Sequence, residues 1–386
     1  MSQAAAYSTL PVSSEGVIVR KSEFTDRLAD ARWSRRKLGR LLATAGLAAV
    51  ALPVGGRCVR AADQAIYLTW KVYGDPGFFP GYVAKHGGNP EMATLSGDDK
   101  DVQRLQKDLV VDVAHPCNSG LARWYQAGVL QPIDTTRLAH WPDLFEPLTT
   151  LKDAQQNGQQ YFVPVDWGAT SVIYRSDIIK PSEQSWNLLW DERYKGKLSV
   201  SRSAEETCAI AAILAGAKDP FNMTDDEIAA VKDLLLKQKP LLRYYWDRSS
   251  TVEKGLAEGQ LVAATGWNSS IADLRKKGVR VKVMEPKEGI LIYCCGLVLT
   301  RNAPHLDAAY DLIDAITAPE AGKWLIEQLG FGHANRRTFD LVDEQILADH
   351  GLPKDPKDLL STAVLLQKNS RIDALNWMFE TVRAGL

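Results

Sequence analysis

An α/β protein built as two lobes is the fold class that the sequence predicts, on three observations. The chain has 386 residues with 45% apolar content, longer than one typical domain and rich enough to bury substantial cores. Short apolar runs alternate with helical patterns along most of its length. Helix-start signals, in which Thr or Ser is followed three residues later by Glu, stand ahead of amphipathic stretches in the second half.

Taken in order, the first segment is a leader. Residues 1–61 carry ten Lys/Arg against four Asp/Glu, which leaves a body with 36 basic and 43 acidic residues and a net charge near −7. Ser34-Arg35-Arg36-Lys37-Leu38 precedes an uncharged run over residues 41–54, and Val59-Arg60-Ala61 supplies small residues at a cleavage position. This resembles a twin-arginine export signal cleaved near Ala61, which implies folding before export and residence in the periplasm. The 14-residue run is too short to cross a bilayer core of about 30 Å as a helix. Arg57 ahead of Cys58 is a poor match to a lipid-attachment site. A formal net charge of −1 for the whole chain argues against a nucleic-acid binder living on a broad basic surface. An acidic body suits a cationic ligand.

Beyond the leader, residues 65–70, 109–114 and 161–164 read as strands. Thr224 and Glu227 form a capping box before Ile228, Val231, Leu234 and Leu235, which share one helical face. Ser250 and Glu253 repeat the device, and their helix runs into the apolar strand 261–264, which ends at Gly266-Trp267-Asn268. Leu306, Ala309, Tyr310, Ile313 and Ile316 line a helix that stops before Pro319, and Trp324 and Leu325 belong to the next. In βα units the binding loops follow the strands, so the residues after each apolar run are the candidates. They are unusually aromatic.

Five segments carry a family resemblance. They are Leu68-Thr69-Trp70-Lys71-Val72-Tyr73; Val111-Asp112-Val113-Ala114-His115-Pro116-Cys117 with Ala127-Gly128-Val129-Leu130-Gln131-Pro132-Ile133-Asp134; and Val163-Pro164-Val165-Asp166-Trp167-Gly168-Ala169-Thr170. The fourth joins Ser185-Trp186-Asn187-Leu188-Leu189-Trp190 to Tyr194-Lys195-Gly196-Lys197-Leu198. The fifth joins Gly266-Trp267-Asn268-Ser269-Ser270, Glu285-Pro286-Lys287-Glu288-Gly289, Gly330-Phe331 and Val382-Arg383-Ala384-Gly385. In this order they resemble the spermidine/putrescine-binding family of periplasmic proteins. The resemblance implies a two-lobed periplasmic-binding-protein fold, type II-like, with multiple hinge crossovers and the ligand in the cleft between lobes. It places residues 62–164 with 293–335 in lobe 1 and 165–292 with 336–386 in lobe 2.

The resemblance also implies a site. Its aromatic wall is Trp70, Tyr73, Trp267, Tyr293 and Phe331, with Cys117, Ser119, Asp166 and Trp167 beside it. A cation over such rings gains about 0.5–2 kcal/mol, and the rings pack against methylenes. Glu206 matches an acidic family position, but the companion position three residues earlier is Ser203, and the family's central amine-binding Asp falls on Cys295. Asp166 offers a second anion; read from the residues alone, it is equally a hinge Asp accepting backbone N–H groups. Lys71 is either a solvated lip residue or a partner for a ligand carboxylate. Two anions suit putrescine, a monoamine with further polar groups, or an amino-acid derivative.

Loss of the leader leaves Cys117, Cys208, Cys294 and Cys295, an even number for an oxidising compartment. The family positions of Cys117 and Cys295 line one pocket, which implies that they approach and form a disulfide. Adjacent Cys294 and Cys295 alternate faces on a strand, and Cys208 reads as helical core. His86, His115, His140, His305, His333 and His350 show no zinc spacing, and no Gly-rich stretch has the phosphate-loop pattern. Tyr244-Tyr245 is reminiscent of ferric-iron importers, but it stands away from the expected pocket turn. The expected protein is a monomeric receptor without cofactor or metal, one that catalyses nothing. It captures a small cationic solute for the permease of an ABC importer. The alternatives are the same receptor for a zwitterion of opine-like or betaine-like type, and an enzyme on a similar scaffold.

Overall fold

Two long strands set the architecture seen in a computed structural model, which describes residues 64–385. The twin-arginine leader and its cleavage point lie outside the described residues. In chain order the strands are β1 (Ile66–Thr69), β2 (Glu91–Thr94), β3 (Val113–Ala114), β4 (Leu130–Gln131), β5 (Gln155–Gln156), β6 (Gln159–Gln160) and β7 (Val163–Arg175). They continue with β8 (Leu198–Ser201), β9 (Leu242–Trp246), β10 (Ala263–Trp267), β11 (Val281–Val283), β12 (Leu291–Thr300), β13 (Gly332–His333) and β14 (Val364–Leu365).

Parallel pairing of β1 with β2 and β3, and antiparallel pairing of β3 with β12, build one half of the main sheet. Parallel pairs β10–β8 and β8–β9, with β10 antiparallel to β7, build the other. β7 and β12 run antiparallel to each other and join the halves, giving the order β2-β1-β3-β12-β7-β10-β8-β9.

β7 is buried along nearly its whole length, and a strand covered on both faces does not alternate polar and apolar residues. Val163, Val165, Trp167 and Ala169 enter the core around β1 and β3, whereas Val172 and Tyr174 enter that around β8. One strand thus anchors both halves. The sequence reveals only its start because Asp166, Thr170 and Ser171 interrupt the apolar run; the structure buries all of them.

Other expectations meet mixed outcomes. The strand at 109–114 shrinks to Val113–Ala114; Asp112, just ahead of it, accepts from the backbone N–H groups of Ile66 at 2.7 Å and His305 at 2.6 Å. The Thr224–Glu227 capping box forms and starts the helix Asp225–Gln238. Ser250 caps nothing: its helix, Ser249–Ala257, already includes it, and Glu253 instead accepts from the Ser270 hydroxyl at 2.8 Å. Pro319 opens the helix Pro319–Leu329, directly after Leu306–Ile316 ends.

Phe339, Val342, Leu347, Leu352 and Leu360 pack into the core of the first half, although residues 336–386 were assigned to lobe 2. Apolar side chains of the short helices after residue 336 face that core. Val364 and Leu366 pack against the core of the other half, and the C-terminal helix Ile372–Ala384 packs Leu375, Met378, Phe379 and Val382 against its helix Ala204–Ala215.

Candidate functional site

Where β1, β3, β8, β9 and β10 end, their following residues line one cavity of about 900 Å³ between the two halves. Such crevices at the carboxyl ends of strands are where open α/β sheets bind ligands. From the first half come Trp70 and Tyr73 after β1, and Cys117 and Ser119 after β3. Ser201, Ser203, Glu205 and Glu206 follow β8, Trp246 and Asp247 close β9, and Trp267 ends β10. The crossing strands add Asp166 and Thr170 from β7 and Tyr293 and Cys295 from β12, with Phe331 just ahead of β13.

Strand geometry selects which residues reach the cavity. Asp166, Gly168 and Thr170 share one face of β7, and Trp167 takes the other. The structure therefore does not bring Trp167 to the site. It is fully buried in the first core, where its indole N–H donates to the His333 carbonyl at 3.1 Å. Lys71 is exposed and is not among the lining residues. Tyr244 and Tyr245 face elsewhere; the Tyr244 hydroxyl donates to the Thr251 carbonyl and Tyr245 packs edge-on against Phe379.

Gly168 is required by close approach. Tyr293 lies across β7 at this point, so that a Cβ on residue 168 overlaps its phenol. Overpacking of this kind typically costs 1–3 kcal/mol. Gly168→Val is therefore expected to push Tyr293 out of place and weaken solute binding about tenfold, measured by calorimetric titration, with far-ultraviolet circular dichroism unchanged.

The cavity has two poles along β7. At one, Glu206 sits in the first turn of the helix Ala204–Ala215, capped by Ser203, whose Oγ accepts from the Glu206 N–H at 3.3 Å. The Thr170 hydroxyl donates to its carboxylate at 2.6 Å, and the polar groups of Ser201 and the Trp267 indole also act to lower its pKa. Burial nonetheless raises the Glu206 pKa, because those donors only partly replace its lost water. Glu205 is raised too, by burial and by the charges of Glu206 and Asp98. Trp246 and Trp267 meet edge to face at 5.7 Å beside this acidic pole.

At the other pole Asp166 is almost wholly buried, and both of its oxygens have partners. His115 Nε2 lies 2.9 Å from Oδ1, and the Tyr73 hydroxyl donates to Oδ2 at 2.9 Å. His115 Nδ1 in turn faces the hydroxyls of Tyr67 at 2.9 Å and Thr69 at 3.2 Å. Trp70 stands edge-on to His115, with ring centroids 5.4 Å apart. Burial, reinforced by the Asp166 charge, pushes the Tyr73 and Tyr293 hydroxyls well above the ordinary phenol range.

Cys117 and Cys295 are bonded as a disulfide that lines this same pole, and Cys295 pairs across the ladder with Asp166. Cys294 points the other way into the first core, and Cys208 is buried in its helix. Sequence reasoning did not single out Thr170, Arg202, Glu205, Trp246 and Asp247 as lining, nor His115 as the partner of Asp166. Trp246-Asp247 was open to detection, since it closes the run Leu242-Arg243-Tyr244-Tyr245 just as Trp267 closes its strand.

These features have counterparts in known proteins. Residues 92–353 match the family model described as bacterial extracellular solute-binding protein. The spermidine/putrescine-binding periplasmic protein of Salmonella typhimurium is 27% identical over 334 residues, covering 85% of this chain and 92% of that protein. The putrescine-binding periplasmic protein PotF of Escherichia coli is 28% identical over 271 residues, covering 65% of this chain and 72% of its own. Among solved structures, the spermidine/putrescine ABC transporter substrate-binding protein PotD from Streptococcus pneumoniae superposes with a TM-score of 0.72 at 15% identity, covering 83% of this chain and 99% of that one. That likeness confirms the two-lobed α/β binding-protein fold. The chain belongs to the bacterial extracellular solute-binding protein family, whose model spans most of its described length.

Proposed function

We propose that this protein is the periplasmic receptor of an ABC importer and that it encloses a small amine in the cleft between its two halves without transforming it. The observation that carries this reading is the Glu206 pole: a buried carboxylate with raised pKa, walled by Trp246 and Trp267 in a cavity that both halves line. A carboxylate held out of water needs a counter-charge, and an ammonium seated against aromatic faces supplies one. The relatives named for spermidine and putrescine support an amine as the solute. Export through the twin-arginine route, cleavage near Ala61, a monomeric state and delivery of the closed form to permease subunits complete the proposal. β7 and β12 serve as the hinge crossings. Ligand bridging the halves shifts the open–closed equilibrium by its differential affinity for the closed form.

A second reading has one observation in its favour. Arg202 lines the cavity next to Ser203, and its guanidinium offers a carboxylate partner to a zwitterionic solute. A thermal-shift panel of amines, amino acids and their derivatives separates the two. A ligand at 100 times its dissociation constant stabilises the folded protein by about 2.7 kcal/mol. The amine reading expects such a shift with amines lacking a carboxylate. If only zwitterions stabilise the protein, the cationic-amine reading fails.

A further inference from the structure

Resting on the amine reading, we infer that the solute carries one positive charge and not two, with its ammonium at the Glu206 pole and an uncharged end at the Asp166 pole. The two poles differ in what they leave open. Thr170 and Asp166 are four residues apart on a regular stretch of β7, a separation of about 13 Å in extended chain. A solute lying along the strand therefore presents one end to each.

At the Asp166 pole the carboxylate is already engaged before any solute arrives. Each carboxylate oxygen already has a hydrogen-bonding partner, His115 on one and Tyr73 on the other. His115 is itself fixed on both sides, by Asp166 at Nε2 and by the Tyr67 and Thr69 hydroxyls at Nδ1. These contacts engage the Asp166 carboxylate from within the protein, on the side of the cavity where it lies. The rest of this wall is uncharged: the Cys117–Cys295 disulfide, Trp70, Tyr293 and Phe331.

The remaining acidic lining residues belong to the opposite side. Glu205 adjoins Glu206, and Asp247 follows Trp246, whose ring abuts Trp267. Arg202 is the lining cation and lies on that side as well. A second ammonium driven into the disulfide wall meets soft sulfur and ring edges, with no carboxylate free to replace its water. A methyl, hydroxyl or acylated end fits there at no such cost.

Isosteric pairs test the inference on the purified protein by calorimetric titration. We use n-pentylamine against 1,4-diaminobutane, and n-octylamine against 1,7-diaminoheptane, each pair differing in one terminal methyl for one ammonium. The monoamine is expected to bind at least about tenfold tighter in one or both pairs, the penalty of burying an unpaired charge. Diamines binding as tightly as, or tighter than, their monoamine partners would overturn the inference while leaving the amine reading intact. Failure of all four amines, with a zwitterion bound, would sink the amine reading and this inference with it.

A second arm moves the charge. The double variant Cys117→Ala/Cys295→Asp places a free carboxylate in the wall, and Cys117→Ala/Cys295→Ala removes the disulfide without adding charge. The Asp variant is expected to swing preference toward the diamine at least about tenfold relative to the Ala variant. The readout is the monoamine-to-diamine affinity ratio within each variant, so an overall loss of affinity common to both does not enter it. No swing between the two variants contradicts the inference.

Discussion

Replacing Glu206 by Gln is expected to weaken amine binding about a hundredfold, or roughly 3 kcal/mol, the scale of removing one partner from a buried charge pair. The amide keeps the size of the side chain and can still accept from the Thr170 hydroxyl, so packing changes little. Only the charge is lost. Calorimetric titration of the wild type and Glu206→Gln with the same amine reads the effect directly. Ser203→Ala serves as the contrast: it removes a helix cap worth about 1 kcal/mol of stability but no charge from the site.

The pH dependence follows from the same residue. Burial raises the folded-state pKa of Glu206 above its unfolded value, so its contribution to stability is fully present at low pH and is lost as pH rises through the raised folded value. An ammonium reverses this preference by favouring the carboxylate. Amine affinity should therefore fall on acidification beginning above the ordinary carboxylate range, and Glu206→Gln should flatten that dependence.

The second large effect concerns stability. Asp166→Ala leaves His115, which has no exposed surface, without its acceptor, and is expected to destabilise the protein by about 3 kcal/mol in urea denaturation. His115→Ala should cost a similar amount, because the Asp166 charge then keeps only the Tyr73 hydroxyl. The two losses should not add. A coupling of about 2 kcal/mol in the double-mutant cycle is the signature of one buried pair. If Asp166→Ala instead left stability unchanged and weakened amine binding as much as Glu206→Gln, Asp166 would be a ligand anion and not an internal one.

That distinction marks where the sequence stops being legible. Trp70, Tyr73, Trp267 and Tyr293 each follow or lie on a strand, and the strand-end rule with the family resemblance places them in the cavity where the structure has them; Phe331, just ahead of β13, came from the resemblance alone. Glu206 was legible for the same reason. Trp167 was not, because a neighbour in sequence on an extended strand points to the opposite face, and one-residue register decides between cavity and core. The role of Asp166 was equally hidden. His115 lies 51 residues away, just after β3, and only the β3–β12–β7 pairing brings the two together. The pairing of Cys117 with Cys295, 178 residues apart, followed from the resemblance and is present in the structure. The full length of β7 escaped detection because its polar residues face a buried site, not solvent.

The central claim is that a cationic amine is held in the cleft by Glu206 and its neighbouring indoles. A crystal structure of the protein with its tightest-binding amine tests it most directly. The account predicts the ammonium nitrogen within about 3 Å of a Glu206 carboxylate oxygen, with the carbon chain against Trp267 and running toward the disulfide. An amine bound outside this cavity, or with its nitrogen on Asp166 and Glu206 unliganded, would contradict it.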